Sequence, residues 1–175
     1  MIYHVRFTCA DDYMARRLPY RPAHLRQLDK LRGESKVVAG GPEPDGRYAN
    51  IFYRVADRAE LDRLLADNEF NRAGLFVGSA PRVFADFLEP LEVPPLDAGL
   101  AVTIVEGRAT EPAHARAGLV GLRKSGRVAF GGLFPDGAGL AVVRDAVPSD
   151  ATRVVGEAGG WSTPTLVGRA WSQTL

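Results

Sequence analysis

Residues 1–8, MIYHVRFT, place Ile2, His4 and Arg6 on one side of an extended chain and Tyr3, Val5 and Phe7 on the other. This stretch is rich in β-branched and aromatic residues, and the alternation predicts a strand with one apolar and one partly polar face. Over residues 21–33 the period changes. His24, Leu28 and Leu31 fall on one stripe of a helix, and Pro22 sits in its first turn, where a missing N–H costs nothing. KVVAGG predicts a second strand, PEPDG a turn and YANIFYRV a third strand. Asp57 and Glu60 form a capping box at the head of a helix carrying Leu61, Leu64 and Leu65. A last strand is expected within residues 75–88. The order is βαββαβ, a ferredoxin-like unit.

The pattern then returns. RPAHLRQLDKLRGESKVVAGGPEPDG (21–46) is echoed by EPAHARAGLVGLRKSGRVAFGGLFPDG (111–137), with His24 and His114 separated by 90 positions. The glycine pairs Gly40-Gly41 and Gly131-Gly132, and the turns Pro44-Asp45-Gly46 and Pro135-Asp136-Gly137, are separated by 91. Arg54/Arg144, Arg63/Arg153 and Val77-Gly78/Val167-Gly168 return to 90, so the residue inserted in the second copy's helix is offset by one fewer after the turn. A period this long is a duplicated domain and not a solenoid. A βαββαβ sheet covers only one face with helices, and two sheets facing each other would bury the other faces. The fold class expected is therefore α+β: two tandem ferredoxin-like (βαββαβ) repeats forming a pseudo-twofold dimeric α+β barrel. The first repeat is placed at 1–92, a Pro-rich linker at 93–99 and the second, divergent repeat at 100–175.

Composition narrows the partners. With a net charge of +1 and no run of like charges, neither nucleic acid nor a membrane surface is expected. A single cysteine, Cys9, cannot form an internal disulfide, and no Cys/His spacing resembles a metal site. The N-terminus has no signal-peptide core and no stretch is long enough to span a bilayer, so a cytoplasmic protein is expected. The glycine pairs sit at strand ends and make no GxGxxG fingerprint, so no nucleotide cofactor is indicated. No Gly-x-Ser-x-Gly or P-loop occurs.

RRLPYRPAHLRQL, VVAGGP and FNRAGLF resemble the YciI-like (YCII-related) family of the dimeric α+β barrel superfamily. The likeness covers about residues 1–90, and the second copy is more divergent. Family members are small domains that dimerise, so the resemblance implies a monomeric pseudo-dimer or a homodimer holding a small-molecule ligand. It also implies acid–base chemistry without cofactor or metal, through a histidine with an acidic partner. That assigns His24 as general base. The family's second motif, Asp-Pro-aromatic followed two residues later by Ala-Gly, is altered here: Asn68 stands at the Asp, Glu69 at the Pro and Phe70 at the aromatic, with Asp67 one residue out of register. Asp67 or Asn68 would orient His24. In the second copy Ala158 occupies that place.

Physical reading adds to this picture. Burial and the helix dipole both disfavour imidazolium, so His24 is expected neutral near pH 7 and able to accept a proton. The alternative is a core histidine hydrogen-bonded to backbone. His4 and Arg6 would point into the barrel, Arg21 would hold an anionic substrate, and Phe70, Trp161 and His114 would line the pocket. Ala117, Gly118 and Gly121 either make room for a ligand beside His114 or let a neighbouring helix approach. The function expected is a cofactor-independent lyase, isomerase or cyclase acting on a small organic substrate, with aromatic and polyketide-like molecules among the candidates. Two alternatives stand beside it: a non-catalytic small-molecule-binding or accessory protein with a degenerate site, and a cofactor-free monooxygenase.

Overall fold

The structure is a computed structural model describing residues 1–92 and 99–174. Its first half runs β1 (Ile2–Cys9), α1 (Tyr13–Arg16), α2 (Arg21–Gly33), β2 (Val37–Pro42), β3 (Tyr48–Arg54), α3 (Arg58–Asp67), α4 (Glu69–Arg72) and β4 (Phe76–Val83). The strands form one sheet in the order β2-β3-β1-β4, which is the ferredoxin-like order. The local causes are those read from the sequence. Pro22 occupies the first turn of α2. The Asp57 carboxylate accepts from the Glu60 N–H at 2.8 Å, and Glu60 in turn accepts from the Ala56 N–H at 2.8 Å. Gly46 closes the Pro-Asp-Gly turn at φ 72°, where a side chain is disfavoured.

A short strand, β5 (Asp86–Leu88), follows. The second half then repeats the scheme: β6 (Leu100–Arg108), α5 (Pro112–Lys124), β7 (Val128–Leu133), β8 (Ala138–Arg144), α6 (Pro148–Glu157) and β9 (Val167–Gln173), with a short 3₁₀ turn at Thr163–Thr165. Its sheet order is β5-β7-β8-β6-β9, the same order with β5 added as an extra edge strand. The repeats agree in detail. Each has a register shift at the same point of its second strand, between Val37 and Ala39 and between Val128 and Phe130. Each Pro-Asp-Gly turn is closed by its Asp side chain accepting a backbone N–H two residues on, at 3.0 Å. The segment carrying α1, between Cys9 and Arg21, has no counterpart between Ala109 and α5.

The chain divides into two compact units that do not follow the repeats to their ends. One gathers Met1–Arg82 with the end of the chain from Gln173; the other gathers a short segment from Val83 with Leu100–Ser172. The strand expected within 75–88 is thus two strands: β4 stays in the first sheet, while β5 pairs antiparallel with β7 in the second. Reciprocally, the Thr174 N–H donates to the Gly40 carbonyl on β2 at 2.9 Å. The linker expected at 93–99 falls, in its residues 93–98, outside the described residues. No helix among the described residues is long and apolar enough to cross a membrane.

In the first unit, the β1 face bearing Val5 and Phe7 packs on the helices. Phe7 stacks on Phe76 at 4.2 Å, and Phe76 meets Phe70 and His24 edge-on. Each such fully buried side chain contributes about 1.5–3 kcal/mol. His4 and Arg6 alternate with these residues and lie on the opposite face. The second unit has its own core, including Val105, Ala115, Leu119, Val143, Ala151 and Val155.

Candidate functional site

His24 occupies the first turn of α2, as expected, but its ring lies flat on Phe70, with centroids 3.7 Å apart and planes 11° from parallel. Burial, aided by the Arg21 charge, pushes its pKa down to about 3, so it is neutral. The dyad with Asp67 or Asn68 is not formed. Asp67 faces solvent beside Arg72, 3.8 Å away, and only its backbone carbonyl reaches α2, accepting from Gln27 Nε2 at 2.7 Å. Asn68 caps α4, its Oδ1 accepting the N–H groups of Phe70 and Asn71. The physical reason is register: Asp67 ends α3 with its side chain turned to solvent, and the Asn68 side chain caps α4 instead of meeting the histidine. His24 Nδ1 is buried without a hydrogen-bond partner among the described residues, and Phe70 is core. An imidazole that resists protonation down to pH 3 is a poor proton acceptor at neutral pH.

His114 is exposed, its Nδ1 3.9 Å from Glu111. The glycines near it serve packing where they serve anything. A Cβ on Gly118 would come within 2.6 Å of the Ala158 carbonyl, so Gly118 lets the end of α6 approach, whereas Gly121 faces open space. Trp161 belongs to the second unit's core and not to a pocket rim. Arg21 stands at the first position of α2, partly exposed.

The other face of β1 holds a connected set of polar groups. His4 is 1% exposed and Asn50, on β3, is 0% exposed. His4 Nε2 lies 2.9 Å from Asn50 Oδ1, and Asn50 Nδ2 donates to Glu43 Oε1 at 3.2 Å. Arg6 donates to both oxygens of the same carboxylate, at 3.1 and 3.3 Å. Two aromatic residues of β3 back the planar groups: the His4 ring stacks on Phe52 at 4.9 Å, and the Arg6 guanidinium lies 3.5 Å over the Tyr48 ring. The Arg6 side chain remains 30% exposed, so the series runs from a partly open end inward to His4. β-ladder geometry builds this set, since His4 pairs across with Phe52 and Arg6 with Asn50, while Gly41 of β2 pairs with Asn50 from the other side. A buried carboxylate such as Glu43 is tolerable only when paired in this way.

The second repeat supplies an internal control. Ile2 pairs with Arg54 and Val102 with Arg144, so the two ladders align, and His4 corresponds to Ile104, Arg6 to Glu106 and Asn50 to Leu140. Glu43 corresponds to Phe134: each donates its N–H to the residue that opens the following strand, Tyr48 or Ala138. The same fold thus buries Ile104, Leu140 and Phe134 where the first unit buries His4, Asn50 and Glu43. Sequence reasoning singled out His4 and Arg6 but missed Glu43 and Asn50. The aligned repeats carried the signal: two polar residues stand where the sister copy is apolar. Among the described residues no cluster of three or more metal-ligating side chains occurs.

No family model matches the chain, and no curated protein does. Solved structures do. A candidate monooxygenase from Lactobacillus acidophilus NCFM is similar over 99% of this chain and 94% of its own, at 11% identity and TM-score 0.59. A heme-binding protein from Thermus thermophilus is similar over 98% and 90%, at 14% identity and TM-score 0.53. A 5-chloro-2-hydroxyhydroquinone dehydrochlorinase from Burkholderia phenoliruptrix AC1100 is similar over 48% of this chain and 93% of its own, at 19% identity and TM-score 0.43. The fold class is accordingly α+β of the dimeric α+β barrel type, with two ferredoxin-like repeats in one chain. The first two of these proteins carry different functional descriptions, so the shared fold does not choose a chemistry.

Proposed function

We propose that this chain is a small-molecule enzyme of the α+β barrel class that works by acid–base chemistry. This is the activity implied by its resemblance to the YciI-like family, but the proton is handled at His4 and not at His24. One observation carries the reading: the first repeat buries His4, Asn50 and Glu43, tied to Arg6, at three positions where its own sister repeat is apolar. The fold does not need polar groups there, and departures from apolar packing of this kind concentrate at functional sites.

The chemistry follows from the donors and acceptors. The Asn50 carbonyl oxygen faces His4 Nε2, so that nitrogen carries the ring proton and Nδ1 carries the lone pair. Nδ1 is buried behind the partly open Arg6 end, and a substrate that reaches it there would give up a proton from an acidic C–H or O–H to the neutral imidazole and take it back elsewhere on the same molecule. Such a step moves a proton only. Arg6, two residues along the same face and about 7 Å away, holds the Glu43 carboxylate in place at the open end of the series. Phe52 and Tyr48 keep both planar groups in place.

The test uses 2,4-pentanedione and 1,3,5-trihydroxybenzene as probes, with proton abstraction followed by NMR as exchange of the acidic C–H for deuterium. Wild-type protein should accelerate exchange for at least one probe, His4→Gln should abolish that acceleration while remaining folded, and His24→Gln should retain it in proportion to the folded fraction. Equal rates for His4→Gln and wild type, or no acceleration by either, would overturn the proposal. Probe binding without exchange would favour the accessory-protein reading, which the unformed His24 dyad supports. Oxygen consumption in the same samples would favour the monooxygenase reading.

A further inference from the structure

We propose that Glu43 is a positioning residue that sets the tautomer of His4 through the side-chain amide of Asn50. This rests on the reading of His4 as the proton-handling group. A carboxylate can only accept hydrogen bonds, so the end of the Asn50 amide that meets Glu43 must be the NH₂. The carbonyl end then faces His4, and only the proton-bearing form of Nε2 satisfies it. Glu43 is itself held, since Arg6 grips both carboxylate oxygens and lies on Tyr48. The orientation is therefore passed in one direction, from a fixed carboxylate through an amide to a ring. Asn50 alone would not do this, because an amide released from Glu43 can turn over and offer its NH₂ to the ring, stabilising the opposite tautomer. Glu43 never touches the reacting atoms. Its effect is to keep the lone pair on Nδ1, and its negative charge, carried along the amide, favours the protonated ring once a proton has been taken.

The experiment needs no substrate. The chain has three histidines, His4, His24 and His114, so selective ¹⁵N-imidazole labelling gives a long-range ¹H–¹⁵N spectrum in which single His→Gln variants assign every ring. In the wild type, His4 should show one proton-bearing nitrogen, Nε2, and one lone-pair nitrogen, Nδ1, as two distinct signals. Glu43→Leu should move the two signals toward each other as the tautomers mix. Glu43→Gln can still offer a carbonyl to Asn50 and should keep them apart, which is rescue of orientation by the near-isosteric variant. Glu43→Leu should also reduce kcat for the exchange reaction with KM little changed. A His4 spectrum identical in wild type, Glu43→Leu and Asn50→Leu, or a wild-type spectrum with the proton on Nδ1, would overturn the inference. Should Glu43→Leu fail to fold, Asn50→Asp gives the second reading: two carboxylates meet there, and the His4 signals must change if the amide is the link. The two proposals fail separately. A tautomer that obeys Glu43 while His4→Gln stays active sinks only the function; an inactive His4→Gln with an indifferent spectrum sinks only the positioning role.

Discussion

Asn50→Leu removes the middle of the polar series and offers the sharpest test of why it is buried. Two hydrogen bonds disappear, those to His4 at 2.9 Å and to Glu43 at 3.2 Å. Asn50 is 0% exposed, so water cannot take its place without opening the sheet. Losing a partner costs a buried polar group about 1–3 kcal/mol, and more for a charged one, while the added leucine returns part of that by apolar burial. A net destabilisation of about 2–4 kcal/mol is expected. Replacing the whole series should behave differently. In His4→Ile/Arg6→Gln/Glu43→Phe/Asn50→Leu, three positions take the residues that the second repeat already packs, Ile104, Phe134 and Leu140. Exchanging a buried ionic set for apolar residues is often neutral or stabilising by about 1–4 kcal/mol, against about 1–3 kcal/mol for any overpacking. The combined variant should therefore lie within about 2 kcal/mol of wild type by urea unfolding, and all exchange activity should be gone. If its loss equals or exceeds that of Asn50→Leu alone, the polar series is needed for folding, and the comparison between repeats no longer points to a function.

Other outcomes follow from single positions. His24 has its pKa lowered from 6.5 to about 3, so the unfolded chain binds the extra proton first. Its contribution is complete above pH 6.5 and falls between pH 6.5 and 3, approaching about 1.4 kcal/mol per pH unit. Urea midpoints measured at pH 7, 5.5 and 4.5 should fall less steeply in His24→Leu than in wild type, and parallel curves would contradict the assignment. Ser35 follows α2 at φ 57°, where the second repeat has Gly126 at φ 77°. Ser35→Gly should raise stability by about 0.5–1 kcal/mol, seen as a higher melting temperature. Gly121→Ala, in α5 with nothing within 4 Å of the new methyl, should gain about 0.8–1 kcal/mol. Gly160→Ala should lose about 2–4 kcal/mol, because its φ is 80° and the methyl would lie 2.3 Å from the Ala115 nitrogen.

Most of the architecture was readable because it is local. Pro22, the Leu28/Leu31 stripe, the Asp57–Glu60 cap and the Pro-Asp-Gly turns each act within a few residues, and helix α2 runs over the 21–33 that they predict. The fate of Asp86–Leu88 was not readable, since the ladder it joins, opposite Gly131–Leu133, lies more than forty residues away. The site divides in the same way. Strand alternation placed His4 and Arg6 together, but their partners Glu43 and Asn50 come from just past the end of β2 and from β3, and only cross-strand register joins them. Family likeness pointed instead to His24, and one residue of helix-end register decided that Asp67 would face water.

The sister strands also bear on why such a chain is duplicated. An assembly of identical subunits must carry every ionic burden once per subunit, because symmetry copies whatever one gene encodes. Here Glu43 has become Phe134, Asn50 has become Leu140 and His4 has become Ile104. Fusion lets one half fill these three positions with apolar side chains, while the other keeps the groups that are awkward to bury. On the function proposed above, one site per chain is expected, and titration with a tight-binding ligand should saturate at one equivalent.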